Sequence, residues 1–431
     1  MDDLRTFLAK LEASGRLQRI TAPTSPRFEV AKALAAAPDR PLLFEHLPGY
    51  PGWRMVGNVI SRREDFALGL GVERSQLVAR MSEALAAPRP PLRADEAPCQ
   101  EIVVRGAALD AEAIPIPRYH PRDGGPYITA GVAVVNDPDL GRNLSFHRML
   151  RLDGERFAVR VVEGRGTHTA LKKSPQGLPM AVCLGLPPHI LLAAAISAPP
   201  GVDELAIAHA LAPVREVPCV SQPLKVPACA ELVLEGVLTH EVADEGPFPD
   251  LTGTLDGIRR QPVFRLTAIT YRREPVFQAL LPGGLEHKNL MGMPREPTIY
   301  AEVSKVADCR GVYITPGGCS WLHAVVQIEP HGPEDARRAI EAAFRGHGSL
   351  KHVVIVDPDV DIFDPQDVEW AIATRFQAGR DLYLFPDRPG SSLDPSARQV
   401  PGAKSRTDKM GLDATIPWGA DREGYLRLSL E

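Results

Sequence analysis

Cysteine is scarce in this chain and scattered. The six residues, Cys99, Cys183, Cys219, Cys229, Cys309 and Cys319, are irregularly spaced and form no Cys-x-x-Cys pair. That argues against a thiolate zinc site and for reduced, mostly buried thiols in a cytoplasmic protein. There is no excess of basic residues: the net charge is -5, so no electrostatic footprint for nucleic acid exists. Long apolar runs are missing as well. The longest, around residues 190–196, suits a buried core segment and is too short to span a bilayer. The opening Met-Asp-Asp-Leu-Arg has neither the basic start nor the apolar stretch of a signal peptide. The glycine-rich loop Pro282-Gly-Gly-Leu-Glu286-His287-Lys288 lacks the Gly-Lys-Ser/Thr of a P-loop, and aromatics are few in such loops. No internal repeat is present, and the 42 prolines are spread along the chain, so they punctuate short elements and form no disordered tract.

What remains is a soluble globular composition, 44% hydrophobic and 24% charged, on 431 residues. A chain this long calls for two or three cores. Leu4, Phe7, Leu8 and Leu11 recur at helical spacing until Gly15. Residues 41–44 read as a buried strand, 63–85 as a second helical stretch, and 86–98 as a linker rich in proline, alanine and charge. From residue 101 to about 273, short β-rich runs separated by turn residues suggest a barrel or a sandwich. The last part returns to an alternation of strands (324–328, 352–357) and helices (333–344, and one started by Asp364-Pro365). The expected fold is mixed α/β, with an N-terminal α/β domain at 1–100, a central β-rich domain at 101–300 and a C-terminal α/β domain at 301–431.

Residues 245–250, Glu-Gly-Pro-Phe-Pro-Asp, place Glu245 and Asp250 at the ends of a turn stiffened by Pro247 and Pro249. Two carboxylates at a set separation suit acid/base chemistry, although acidic residues beside Pro and Gly more often mark a solvated loop. Arg148 is a candidate to lie between those carboxylates, against the alternative of an ordinary surface salt bridge. Asn143, His168 and Glu204 offer a neutral oxygen, an imidazole and a carboxylate, a mixed set that suits Mn²⁺ or Mg²⁺. Taken singly they read more readily as a surface Asn, a satisfied core His and a helix-start Glu. Lys409, just before a Gly-containing turn, can meet a phosphate or simply be solvated. Glu286, His287 and Lys288 end a loop that either faces a substrate or joins two strands.

In their order along the chain these pieces resemble the UbiD family of decarboxylases. The match includes the N-terminal Asp-Leu-Arg-x-Phe-Leu helix, residues 143–148, His168, Pro-Gly-Val-Asp-Glu at 200–204, and Val-Pro-Ala-Cys-Ala-Glu-Leu-Val-Leu-Glu-Gly at 226–236. It continues through residues 245–250, Pro-Gly-Gly-Cys-Ser at 316–320, Trp-Ala-Ile-Ala-Thr-Arg at 370–375, and Lys-Met-Gly-Leu-Asp-Ala-Thr at 409–415. The resemblance implies a split β-barrel flavin-binding domain in the centre and a prenylated FMN cofactor bound with a divalent metal, usually Mn²⁺, and often K⁺. It places metal ligands on Asn143, His168 and Glu204, and cofactor contacts on these together with Ser145, Phe146, His147, Arg148 and Lys409. It places the Glu-Arg-acid network on Glu245, Arg148 and Asp250, with Asp250 as proton donor. It implies reversible, non-oxidative decarboxylation of an α,β-unsaturated, aromatic or heteroaromatic acid, releasing CO₂, and a flavin prenyltransferase as cofactor supplier. Glu286-His287-Lys288 departs from the Asp-Glu-Pro or Glu-Thr-His of many members, and His287, Lys288 and Arg295 are candidates to meet a second anionic group. The chain ends soon after residue 415, which favours a homodimer over a hexamer. The alternatives are a non-catalytic subunit of a multi-component carboxylase and an ordinary FMN oxidoreductase.

Overall fold

A computed structural model describes residues 3–400 and 404–427, so Met1 and Asp2 of the opening stretch lie outside the described residues. The chain divides into two compact units, one running to Leu290 and the other from Met291.

The first unit begins with the expected helix, Leu4–Ala13. Asp3 caps it by accepting a hydrogen bond from the Thr6 amide at 2.7 Å, and Leu4, Phe7, Leu8 and Leu11 form its buried stripe. The second helical stretch is two helices, Arg63–Leu70 and Leu77–Ala86, not one. Gly71, with φ at +66°, takes the left-handed C-cap that ends the first of them. The stretch read as a linker contains a short strand, Leu92–Arg93, which pairs in parallel with Arg215–Pro218.

The main element is a nine-stranded sheet built around the long antiparallel pair Leu232–Glu245 and Arg259–Tyr271. Its backbone path runs from Tyr127–Ile128 at one edge to Gly141–Phe146 at the other. The overall class is the mixed α/β one expected, but these two edge strands do not pair with each other, so the sheet is not closed into a barrel. The long pair bends at register shifts after Glu235 and Leu238. Gly236 sits at the first shift, and a Cβ there would lie 2.1 Å from the Arg265 carbonyl oxygen. Phe157, Met180, Leu234 and Phe264 fill one continuous core beneath the sheet. Burying each side chain of this size contributes on the order of 2 kcal/mol. The apolar run around 190–196 is the buried helix Pro188–Ala195.

The second unit is a five-stranded sheet in the order Asp308–Ile314, His323–Glu329, His352–Val356, Arg406–Asp413, Leu382–Pro389. Helix Asp335–Gly346 packs on it, and Asp364 caps helix Pro365–Arg375 by accepting from the Gln366 amide. Arg375, at the end of the Trp370–Arg375 run, is buried and pairs with Asp357 at 3.0 Å and Asp359 at 2.6 Å. All six cysteines are free thiols, and among the described residues no helix is long and apolar enough to cross a membrane.

Candidate active site

Strand Leu232–Glu245 delivers Glu245 at its end with no solvent exposure. The chain then turns at Gly246, where φ is +107° and a Cβ would lie 2.7 Å from the Gly257 carbonyl oxygen, so glycine is required. Phe248–Pro249 pairs with Leu255–Asp256, which sets Asp256 opposite Phe248. The proline turn therefore opens a short ribbon that carries three carboxylates: Glu245 before it, Asp250 at its bend and Asp256 on its return.

Arg148 comes from the link between strands Gly141–Phe146 and Met149–Arg151 and meets all three. Its Nε donates to Glu245 Oε1 at 2.9 Å and its Nη2 to Glu245 Oε2 at 3.0 Å. Nη1 donates to Asp250 Oδ2 and Nη2 to Asp256 Oδ2, each at 2.8 Å. Of the five guanidinium N–H groups, one on Nη1 is left without a partner among the described residues. Arg148 also lies 4.6 Å from the centre of the Phe248 ring. Burial works against its charge, but Glu245, Asp250 and Asp256 raise its affinity for the proton above the ordinary value. Tyr127 donates its hydroxyl to Glu245 Oε1 at 3.0 Å, and burial followed by the Glu245 charge raises the phenol's pKa.

Sequence reasoning named Arg148, Glu245 and Asp250 and missed Tyr127, Asp256 and Arg160. The Arg160 amide donates to the Arg148 carbonyl at 3.0 Å, so the two are cross-strand neighbours. The Arg160 guanidinium donates to the Val161 carbonyl and has no acidic partner among the described residues. Burial, then Arg259 and Arg148, lower its proton affinity. Glu286, His287 and Lys288 lie in helix Leu285–Gly292 and not on a loop, and the Gly283 turn that leads into it packs over the Asp250 bend: a Cβ on Gly283 would sit 3.2 Å from the Asp250 carbonyl oxygen. This places His287 one helical turn from that bend. Its Nδ1 accepts from the Gly283 amide at 3.0 Å, so the neutral ring carries its proton on Nε2. Burial lowers its pKa, Asp250 opposes this, and Arg148 and Lys288 add to it. Glu286 does not share this setting. It is fully buried beside the Asn58–Ile60 backbone, and burial pushes its carboxyl up to about 8.

A second cluster lies on the edge strand Gly141–Phe146. Arg142 pairs with Asp203 at 2.5 Å, and Asp203 caps helix Glu204–Leu211. That clamp sets the next residue on each side together: Asn143 Nδ2 donates to Glu204 Oε1 at 3.0 Å, and the Leu144 amide to Oε2 at 2.8 Å. Glu204 is buried, its donors among the described residues are the neutral Asn143 amide and Leu144 N–H, and burial pushes it up to about 7. Asn143 Oδ1 faces Gly166, where a Cβ would be 3.1 Å away. His168, two residues further on, accepts at Nδ1 from the Gly164 amide at 3.1 Å. His147 donates from Nδ1 to the Arg160 carbonyl at 2.8 Å, so its Nε2 accepts from Thr167 and Ser145, each at 3.0 Å. Phe146 is half-buried on the same strand. Among the described residues no group of three or more His, Cys, Asp and Glu converges on a metal position. The Asn143–Glu204 pair does fit one: a free amide oxygen and a buried carboxylate without a cation are the hard oxygen donors a divalent ion takes. Lys409 lies in the second unit, where its Nζ donates to the Gly348 carbonyl at 2.7 Å and burial lowers it to about 8.

Three family profiles match the chain in order. They are the N-terminal, Rift-related and C-terminal domains of 3-octaprenyl-4-hydroxybenzoate carboxy-lyase, over residues 8–85, 91–285 and 288–414. Anhydromevalonate phosphate decarboxylase of Methanosarcina mazei is 39% identical over 417 residues, 95% of each chain. The protein of that name from Methanocaldococcus jannaschii is 39% identical over 411 residues, 94% of this chain and 95% of that one. Among solved structures, the UbiD-class enzyme HmfF from Pelotomaculum thermopropionicum in complex with FMN superposes with a TM-score of 0.95 at 37% identity, covering 99% of this chain and 97% of that one. An evolved dimeric form of that enzyme in complex with prenylated FMN gives 0.91 at 35% identity, covering 100% and 97%. With all three profiles matched in sequence order, the chain belongs to the UbiD family and is a UbiD-like decarboxylase.

Proposed function

We propose that this protein catalyses the reversible, non-oxidative decarboxylation of an α,β-unsaturated acid, with Asp250 as proton donor and prenylated FMN as cofactor. The observation that carries the reading is the Arg148 guanidinium shared by Glu245, Asp250 and Asp256. When bound, prenylated FMN supplies the electron sink that decarboxylation of an unreactive acid requires. Asn143 and Glu204 would hold a divalent cation, Mn²⁺ or Mg²⁺, beside its phosphate, with Ser145 and His147 on the same strand run.

The chain's own residues handle the proton and the substrate. Loss of CO₂ leaves the α-carbon one bond short, and Asp250 delivers the proton that replaces the lost carboxylate there. Asp250 regains that proton from solvent, so one proton is consumed per CO₂ released. Glu245, buried and held by Arg148 and Tyr127, keeps the guanidinium in place. The remaining Nη1–H of Arg148 points the substrate carboxylate towards the Asp250 side of the site.

A phosphorylated acid is the favoured substrate. The relatives from M. mazei and M. jannaschii are named for anhydromevalonate phosphate, and Lys288 and Arg160 have no acidic partner among the described residues. A homodimer supplied by a flavin prenyltransferase is the expected working form. The test is to co-express the chain with a flavin prenyltransferase, weigh the released flavin, and assay CO₂ release from anhydromevalonate phosphate. Flavin heavier than FMN by one prenyl unit, with CO₂ release, supports the reading. Plain FMN, under conditions where a control enzyme loads, moves the assignment to an oxidoreductase or a non-catalytic subunit.

A further inference from the structure

We infer that Asp256 is a positioning residue for Arg148, a fixed negative charge that keeps the guanidinium still while Asp250 changes its protonation. The inference rests on Asp250 being the proton donor. In each turnover Asp250 alternates between the acid and the carboxylate, so its attraction for Arg148 rises and falls. Glu245 alone would let the guanidinium pivot about the Nε–Nη2 edge that it grips. Asp256 takes the second hydrogen of Nη2 at 2.8 Å, on the side away from Glu245, and blocks that pivot.

Asp256 is itself held. Arg259 Nη2 donates to Asp256 Oδ1 at 2.7 Å, and the Gly257 amide to the same oxygen at 3.0 Å. Backbone pairing with Phe248 ties Asp256 to the strand that follows the Glu245 turn. Burial opposes its charge, but Arg259 and Arg148 hold the carboxylate down at about 2, so it stays ionised wherever the enzyme works. The charged and titratable groups around it are Arg148, Arg259, Arg160 and Glu245. Asp250, Tyr127, His287 and Lys288 face the same guanidinium or its partners. None of the others reaches Arg148 Nη2 from that side.

The test compares Asp256→Ala, Asp256→Asn and Asp256→Glu with the wild type, in two arms. In the kinetic arm, Asp256→Ala is expected to lower kcat on the order of 100-fold, as misplacement by about 1 Å does. KM for the acid that the wild type turns over should change much less than kcat, because the Arg148 charge stays in the site while its alignment with Asp250 is lost. Asp256→Asn, which keeps the shape and loses the charge, should displace the alkaline limb of the kcat–pH profile, and Asp256→Glu should recover most of the rate. A role in folding alone would lower kcat and the melting temperature together and leave the pH profile where it was. The structural arm needs no turnover: crystals of apo Asp256→Ala should show the Arg148 guanidinium rotated and its Asp250 contact broken. An unmoved Arg148, or wild-type kcat in Asp256→Ala, overturns the inference. A wild type with no decarboxylase activity overturns the proposed function instead, and the crystal arm then decides the role of Asp256.

Discussion

Arg148 grips Glu245 edge to edge, Nε on Oε1 at 2.9 Å and Nη2 on Oε2 at 3.0 Å, and Glu245 has no exposure to water. A buried carboxylate held this way depends on its partner for both charge and geometry. Arg148→Met should therefore destabilise the protein by about 3–5 kcal/mol, the usual cost of orphaning one half of a buried pair. Arg148→Lys keeps the charge but cannot present two parallel N–H groups, so it should fold and lose activity on the order of 100-fold. Urea unfolding and CO₂ release check the two together. A fully active Lys variant would remove geometry from the argument.

Asp250 is the least buried of the three carboxylates on Arg148, with 19% of its side chain exposed. Asp250→Asn keeps the side chain's shape and an acceptor oxygen for Arg148 Nη1, and Glu245 and Asp256 still hold the guanidinium, so the protein should stay folded with a modestly lowered melting temperature. Turnover should be abolished, and exchange of the product's α-proton with deuterated solvent should stop with it. Retention of both would move the proton-donor role to another residue, with His287 next in line.

The parts of this site that were legible in the sequence are those whose partners are close in the chain or dictated by a stiff local motif. The proline turn announces Glu245 and Asp250, and Asn143 with Arg148 sits on one short strand run. Tyr127 and Asp256 were not legible, because they reach the site through strand register over 118 and 108 residues of separation from Glu245 and Arg148 respectively. Glu286 was read as part of a loop that either joins two strands or faces a substrate. The fold instead buries it against Asn58–Ile60, a packing no local signal reports. The helix at 63–85 was read as one element because its apolar spacing is continuous, and Gly71 decides otherwise only once φ is known.

Glu286 gives the stability curve a direction. Burial holds its folded value at about 8, above the 4.5 of an ordinary glutamate, so between those pH values the unfolded chain has released a proton that the folded chain retains. Stability from this group is therefore fully present below pH 4.5 and falls as pH rises towards 8. Glu286→Gln mimics the protonated form and should remove that fall, raising stability near pH 8 by on the order of a few kcal/mol. Chemical denaturation at pH 5 and pH 8 measures it. Equal slopes in wild type and variant would show that the buried carboxyl is ionised.

Asn143 and Glu204 make a prediction about the metal. Calorimetric titration of the apoprotein with Mn²⁺ in the presence of FMN should show one site. Because loss of a supporting hydrogen bond alone weakens metal sites about 10–100-fold, loss of the carboxylate in Glu204→Gln should weaken Mn²⁺ binding by at least that much. His168→Ala tells whether the imidazole leaves the Gly164 amide to join the ion. Unchanged affinity in that variant would make the site an oxygen-only one with the phosphate completing it.

If the substrate is phosphorylated, as proposed, substitutions at Lys288 and Arg160 should separate it from a plain acid. Arg160 is the cross-strand neighbour of Arg148, and two guanidiniums in that position repel unless anions compensate. Arg148 is hydrogen-bonded to three carboxylates, whereas Arg160 bonds only the Val161 carbonyl and feels Asp256 and Glu245 at longer range. Lys288, an electrostatic neighbour of His287, also lacks an acidic partner among the described residues. Under the proposed function both cations are candidates to answer a second negative group on the substrate. Lys288→Ala and Arg160→Ala should each raise KM for anhydromevalonate phosphate about tenfold, a loss of one charge-assisted hydrogen bond, with kcat little changed. The dephosphorylated acid should bind wild type and variants alike, and added salt should weaken only the phosphorylated one. If both variants treat the two acids as wild type does, the phosphate is recognised by other residues and these two cations serve the cofactor instead.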